Sequence, residues 1–101
     1  MLKESHTQNA IIGYLTIKRI FHYRQNGGGF KTEKGFMRTA SVNGLPDIVA
    51  IKDGIYIGIE VKAPKGKQSE SQKAIQAEIE KAGGKYIVAR SLDDVRKVFE
   101  A

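Results

Sequence analysis

The chain has 101 residues, 41% of them hydrophobic, enough for one domain with a modest core. It has no cysteine, which excludes a disulfide scaffold and a thiolate metal site, and no apolar run near the roughly 18 residues of a membrane span. The net charge of +6 is concentrated early: residues 1–40 hold seven Lys/Arg against two Glu, and residues 41–101 hold ten against nine acids. An excess of this kind attracts polyanions without sequence preference, and it equally serves plain solubility.

The first polar residues, Glu4 to Asn9, carry no signal-peptide core, so a cytoplasmic, intracellular protein is expected. Residues 4–24 are predicted to form the first helix. Glu4, Gln8, Ile11 and Leu15 recur at helical spacing on one face. Glu4 therefore lies on the stripe that packs inward, where it either complements the helix dipole or is directed at a site. Tyr14, Ile17 and Phe21 lie off that stripe. A helix apolar on two sides is usually buried twice, here under a second copy of the chain or under strands of its own. His6 is turned to another face than Glu4, His22 reads as a surface or interface residue, and neither is spaced for zinc.

Gln25 to Gly29 ends the helix in a glycine-rich turn that lacks the pattern of a phosphate loop. Phe30 to Arg38 reads as a short hairpin broken near Lys34-Gly35. Its Lys31, Lys34 and Arg38 either lie along a nucleic-acid backbone or keep a solvated edge from pairing with other strands.

Asp53-Gly54 stands between two β-rich runs, Ile48 to Ile51 and Ile55 to Ile59. Such a pair is a strong hairpin signal, because a type I′ turn needs positive φ at both central positions. That turn fixes the register and sets Asp47 directly across from Glu60 on one face. Like charges so placed are destabilising unless one is protonated, a cation bridges them or solvent separates them. Lys62, two residues on, points to the same face as Glu60. Two carboxylates with water and phosphate oxygens suit a hard cation such as Mg²⁺ or Mn²⁺. The bland alternative is an exposed salt-bridge cluster at a strand end.

Pro64 stops the second strand, and Lys65 and Lys67 extend the positive charge past the carboxylates. Ser69 and Gln72 are spaced as a capping box for a helix running to about Ala82, closed by Gly83-Gly84. Tyr86 to Ala89 is a nearly all-apolar strand suited to a sheet interior. Ser91 caps a last helix with Leu92, Val95, Val98 and Phe99 on its apolar face. The predicted order is helix, two short strands, hairpin, helix, strand, helix. It makes the chain an α/β protein with a mixed central sheet flanked by helices.

Pro46-Asp47 followed by Glu60-Val61-Lys62 resembles the PD-(D/E)xK nuclease signature. The wider set resembles the VRR-NUC (virus-type replication-repair nuclease) family, in particular its small stand-alone phage-type members. That set comprises Gly44-Leu45-Pro46-Asp47-Ile48, Ile59-Glu60-Val61-Lys62-Ala63-Pro64, Gly66-Lys67-Gln68-Ser69, Gln72, Ala82-Gly83-Gly84 and Val88-Ala89-Arg90-Ser91. The resemblance covers nearly the whole chain as one domain, 1–101, and is weakest between Gly27 and Val42. It implies a restriction-endonuclease-like core and a Mg²⁺- or Mn²⁺-dependent DNA nuclease. It also implies Glu4 and the Val61 carbonyl as further metal ligands beside Asp47 and Glu60, and Gln72 near the active site. Small members resemble Holliday-junction resolvases and act as dimers.

The expectation is thus a structure-selective DNA endonuclease working as a homodimer on branched DNA. Its catalytic residues would be Glu4, Asp47, Glu60, Lys62 and Gln72, and Lys31, Lys34, Arg38, Lys65 and Lys67 would contact nucleic acid. Lys62 would orient the attacking water and stabilise transition-state charge, and a metal neighbour that depresses its pKa would leave a base role open. The alternative is a DNA-binding or assembly module that keeps the nuclease fold without catalysis. The intact Asp47, Glu60 and Lys62 favour the enzyme.

Overall fold

The computed structural model describes residues 4–25 and 43–100, and the backbone of 30–32 and 35–37. Helix α1 (Glu4–Ile17) buries Gln8, Ile11 and Leu15 of the predicted stripe, with Thr7 beside them, whereas Glu4, which the spacing also sets on that stripe, is exposed at the helix start. It ends earlier than predicted. Arg19 takes a left-handed φ of 57°. Around it Arg19 N–H donates to Thr16 O at 3.1 Å and Ile20 N–H to Leu15 O at 2.9 Å. This is the paired closure usually built on glycine. The chain then turns back as strand β1 (Phe21–Arg24), antiparallel to β4 (Ile48–Lys52). The helix expected over 4–24 is therefore a helix and a strand. Phe21 continued the helical spacing by coincidence, because a non-glycine residue made the stop.

Strands β2 (Phe30–Thr32) and β3 (Gly35–Met37) form the expected short hairpin, with Lys31 opposite Phe36. Lys34 and Arg38 lie outside the described residues. Strand β4 pairs with β5 (Ile55–Val61) from Ile48↔Ile59 to Lys52↔Ile55, the register set by the Asp53-Gly54 turn. Both turn residues carry the required positive φ, 54° and 78°.

Helix α2 (Glu70–Lys81) starts at a complete capping box: Gln72 N–H donates to Ser69 Oγ at 3.2 Å and Ser69 N–H to Gln72 Oε1 at 2.8 Å. It ends at Gly83, φ 95°, with Gly84 N–H on Ile79 O at 2.9 Å. Strand β6 (Lys85–Ala89) runs parallel to β5, and α3 (Leu92–Phe99) follows its Ser91 cap.

The main sheet is mixed, in the order β1-β4-β5-β6, with helices flanking it. Ile48, Ala50, Ile57, Ile59, Val61, Ile87 and Ala89 on one face meet Ile11 and Leu15 of α1 and Val95 and Phe99 of α3. Helix α2 packs on β6 from the other side, and a Cβ on Gly84 would come within 2.8 Å of the Ile79 side chain. The expected interior position of β6 is corrected: it stands at the sheet edge. Its apolar run reflects helices on both of its faces, which impose the same composition as burial between strands. Among the described residues no helix is long and apolar enough to cross a membrane.

Candidate active site

Asp47 is placed by the residues before it. Gly44 has a φ of 91°, and a Cβ there would lie 2.4 Å from Ser71 O and 2.8 Å from Gln72 N. The Asn43-Gly44 turn is thus seated against the first turn of α2. Pro46 is fully buried. It lies on Gly58, where an added Cβ would come within 2.8 Å of its ring. Proline has no N–H and does not extend the ladder, so β4 begins only at Ile48. Its missing N–H is a donor lost to the Val61 carbonyl opposite, and the Val61 N–H donates to the Asp47 side chain, at Oδ2, at 2.8 Å. The Asp47 carbonyl takes the Gln25 N–H at 2.7 Å, beyond the end of β1. Asp47 is held through both its main chain and its carboxylate.

Glu60 lies across the hairpin, one residue beyond the Ile48↔Ile59 pair. It is 4% exposed. With both carboxyls ionised they only accept hydrogen bonds, and Glu60 Oε1 has no partner. Burial first, then the charge of Asp47 and a hydrogen bond shared with it, push the Glu60 carboxyl up to about 8; Glu4 adds to the rise and Lys62 opposes it. Protonated, Glu60 can share its proton with Asp47. The Lys62 ammonium stands 3.9 Å from Glu60 Oε2. The three residues expected to converge do so.

The other expected residues are placed less directly. Glu4 is exposed at the start of α1, and its Oε1 accepts the Ala63 N–H at 3.2 Å. Among the described residues no three of His, Cys, Asp or Glu gather closely enough to hold a metal as they stand. Gln72 serves the capping box, and no hydrogen bond joins it to Asp47, Glu60 or Lys62. Its backbone nonetheless supports the loop that carries Asp47. Lys65 and Lys67 are exposed. Their loop is fastened by Arg90 Nη2 donating to Gly66 O at 2.7 Å and by Gly66 N–H on Ala63 O at 2.8 Å. Of Lys31 the strand position alone is described. His6 is exposed, and the His22 Nδ1 lies 2.8 Å from Ile20 O.

Tyr86, in sequence one residue of an apolar run, belongs to the site. Parallel pairing sets Tyr86 beside Gly58 and Val88 beside Glu60, so Tyr86 shares the Glu60 face. Its phenol is raised to about 12, first by burial and then by the charge of Glu60. No local signal could have found it, because no turn fixes the register of a parallel pair.

Compared with known proteins, the chain matches no family model, and no curated protein resembles it at a significant level.

Proposed function

We propose that the chain is a divalent-metal-dependent DNA endonuclease that hydrolyses phosphodiester bonds as a homodimer and prefers branched DNA, as Holliday-junction resolvases do. The observation that carries the reading is the Asp47–Glu60 pair, faced across a hairpin with one carboxylate almost fully buried and Lys62 beside it. A structural role would not ordinarily bury an acid against another acid.

The donor set fits a hard cation. Glu60 offers an unpartnered buried oxygen, and its raised pKa expresses the unfavourable negative charge that a cation relieves. Asp47 and Glu60 would hold Mg²⁺ or Mn²⁺, with Glu4 and the Val61 carbonyl as the further ligands that the VRR-NUC resemblance implies. Bound there, the ion would lower the pKa of a water and polarise the phosphate. Asp47 is kept in place by the Val61 N–H. Lys62 orients the attacking water and stabilises charge that develops on the phosphate. Lys65 and Lys67, with Lys31, Lys34 and Arg38 of the β2–β3 segment, draw the DNA backbone toward the site. Exposed Ile17 and Phe21 support a second copy as partner.

The test is cleavage of labelled linear, flapped and four-way DNAs with and without Mn²⁺, beside calorimetric Mn²⁺ binding. Asp47→Ala or Glu60→Ala should abolish metal-dependent cleavage and weaken Mn²⁺ binding. Unchanged Mn²⁺ affinity in both variants would remove the metal site. Binding without cleavage of any substrate by the wild type would favour the non-catalytic module.

A further inference from the structure

Arg24 closes strand β1 opposite Ile48. The next ladder bond, Gln25 N–H to Asp47 O at 2.7 Å, puts it at the same strand end as Asp47. Strand parity sets it on the α1 face of the sheet, with Ile48, while Asp47 and Glu60 use the other. Its side chain is exposed. With the Gln8 amide oriented so that its oxygen meets the guanidinium, Gln8 accepts from Arg24 Nε at 3.0 Å and from Nη2 at 3.2 Å. Gln8 is 8% exposed and sits one helical turn after Glu4 on the same stripe of α1.

A buried amide thus orients an exposed guanidinium without neutralising it. Three other cations have acids beside them: Arg96 has Asp93 and Glu100, Lys73 has Glu70, and Lys62 has Glu60. Exposed Lys65 and Lys67 have none among the described residues but are not held in direction by a buried amide. Among the described residues Arg24 makes no ion pair. A guanidinium has five N–H donors. Gln8 takes two, and the remaining three include the outer edge that matches two oxygens of one phosphate. A cation fixed in direction, left unpaired and set at the strand end of the carboxylate pair is suited to an anion that arrives from outside.

We propose that Arg24, oriented by Gln8, is a phosphate-binding residue that grips the DNA backbone at the strand end of Asp47, on the α1 side of the sheet. The inference rests on the nuclease reading and adds a substrate contact to it. Arg24 acts by contact, and Gln8 is its positioning residue.

The test uses fluorescein-labelled duplex and four-way DNA, with binding followed by anisotropy in EDTA across a salt series and cleavage measured separately in Mn²⁺. Arg24→Ala should weaken binding by about tenfold and flatten the slope of log K against log salt by about one. Arg24→Lys should restore the slope but not the cleavage rate, since a point charge replaces a planar fork. Gln8→Met should leave the slope at the wild-type value and lower kcat/KM, because charge remains and orientation is lost. Circular dichroism on each variant separates these effects from misfolding, and Arg24→Lys serves if Arg24→Ala does not fold. Wild-type affinity and slope in Arg24→Ala would overturn the proposal while the nuclease reading stands. A wild type that neither binds nor cuts DNA would remove both.

Discussion

The ring of Pro46 rests on the bare Cα of Gly58, so closely that a Cβ on Gly58 would lie 2.8 Å from Pro46 Cγ and 3.2 Å from its Cβ. Pro46 is fully buried and rigid, and cannot swing aside. Gly58→Ala should therefore push the Pro46-Asp47 step off the sheet and loosen the Val61 N–H bond to Asp47. A stability loss of about 1–3 kcal/mol is expected in urea unfolding, as for other overpacked cores. Mn²⁺ affinity should fall with it, because Asp47 moves. An Ala variant of wild-type stability would show that the proline ring yields after all.

Glu60 makes stability depend on pH. Its carboxyl is raised from an ordinary 4.5 to about 8, with burial as the first cause. Between those values the folded chain holds a proton that the unfolded chain has released. Stability is then full below about 4.5 and falls as pH rises through 8. The loss from this one group is on the order of a few kcal/mol. Glu60→Gln should flatten this part of the profile and be the more stable form at pH 9. Added Mn²⁺ should restore wild-type stability at pH 9 and do little for the variant. A wild-type thermal midpoint that rises from pH 5 to pH 9 would contradict the burial of this carboxyl.

Much of this was legible because local chemistry fixes it. The Asp53-Gly54 turn dictates the β4–β5 register and hence the Asp47–Glu60 pair, and Ser69 with Gln72 marks the start of α2. The first helix was overrun because Arg19 supplies the left-handed turn that sequence patterns assign to glycine. The helical spacing hides Arg24, since a residue on a helix has no register with Asp47. The edge position of β6 and the place of Tyr86 depend on a parallel pairing that no short motif encodes. The sequence assigns Gln72 both to a cap and, through the resemblance, to the site; its hydrogen bonds belong to the cap.

Ile17 is 81% exposed and Phe21 62%. Tyr14, grouped with them by spacing, instead packs against the core of its own chain and donates to Glu100 at 2.5 Å. The candidate interface thus narrows to Ile17, Phe21 and the neighbouring strand. A four-way junction is resolved by two symmetric cuts, which a C₂ dimer supplies through one self-complementary patch. Light scattering at micromolar concentration should give a dimer for the wild type and a monomer for Ile17→Lys combined with Phe21→Lys. The change should cost the fold only about 0.5 kcal/mol per site, as exposed positions usually do, and should reduce the preference for four-way over linear DNA. A monomeric wild type would remove the dimer and leave the cleavage chemistry in place.

Lys62 offers a way to tell the proposed metal and DNA binding from the proposed catalysis. Its side chain is 16% exposed, and its ammonium stands 3.9 Å from Glu60 Oε2. Lys62→Met keeps most of the stem's packing and removes the charge. Asp47 and Glu60 are left untouched, so Mn²⁺ and DNA should still bind. Charge that grows on the phosphate only in the transition state loses its nearest protein cation, so the turnover rate should fall by about a hundredfold or more with KM little changed. The same variant takes away the neighbour that, among the described residues, lowers the Glu60 pKa, so the Glu60 titration should move higher when followed by carboxyl NMR without metal. Near wild-type turnover with that upward shift present would confine Lys62 to an electrostatic role in the resting protein and exclude it from the reaction.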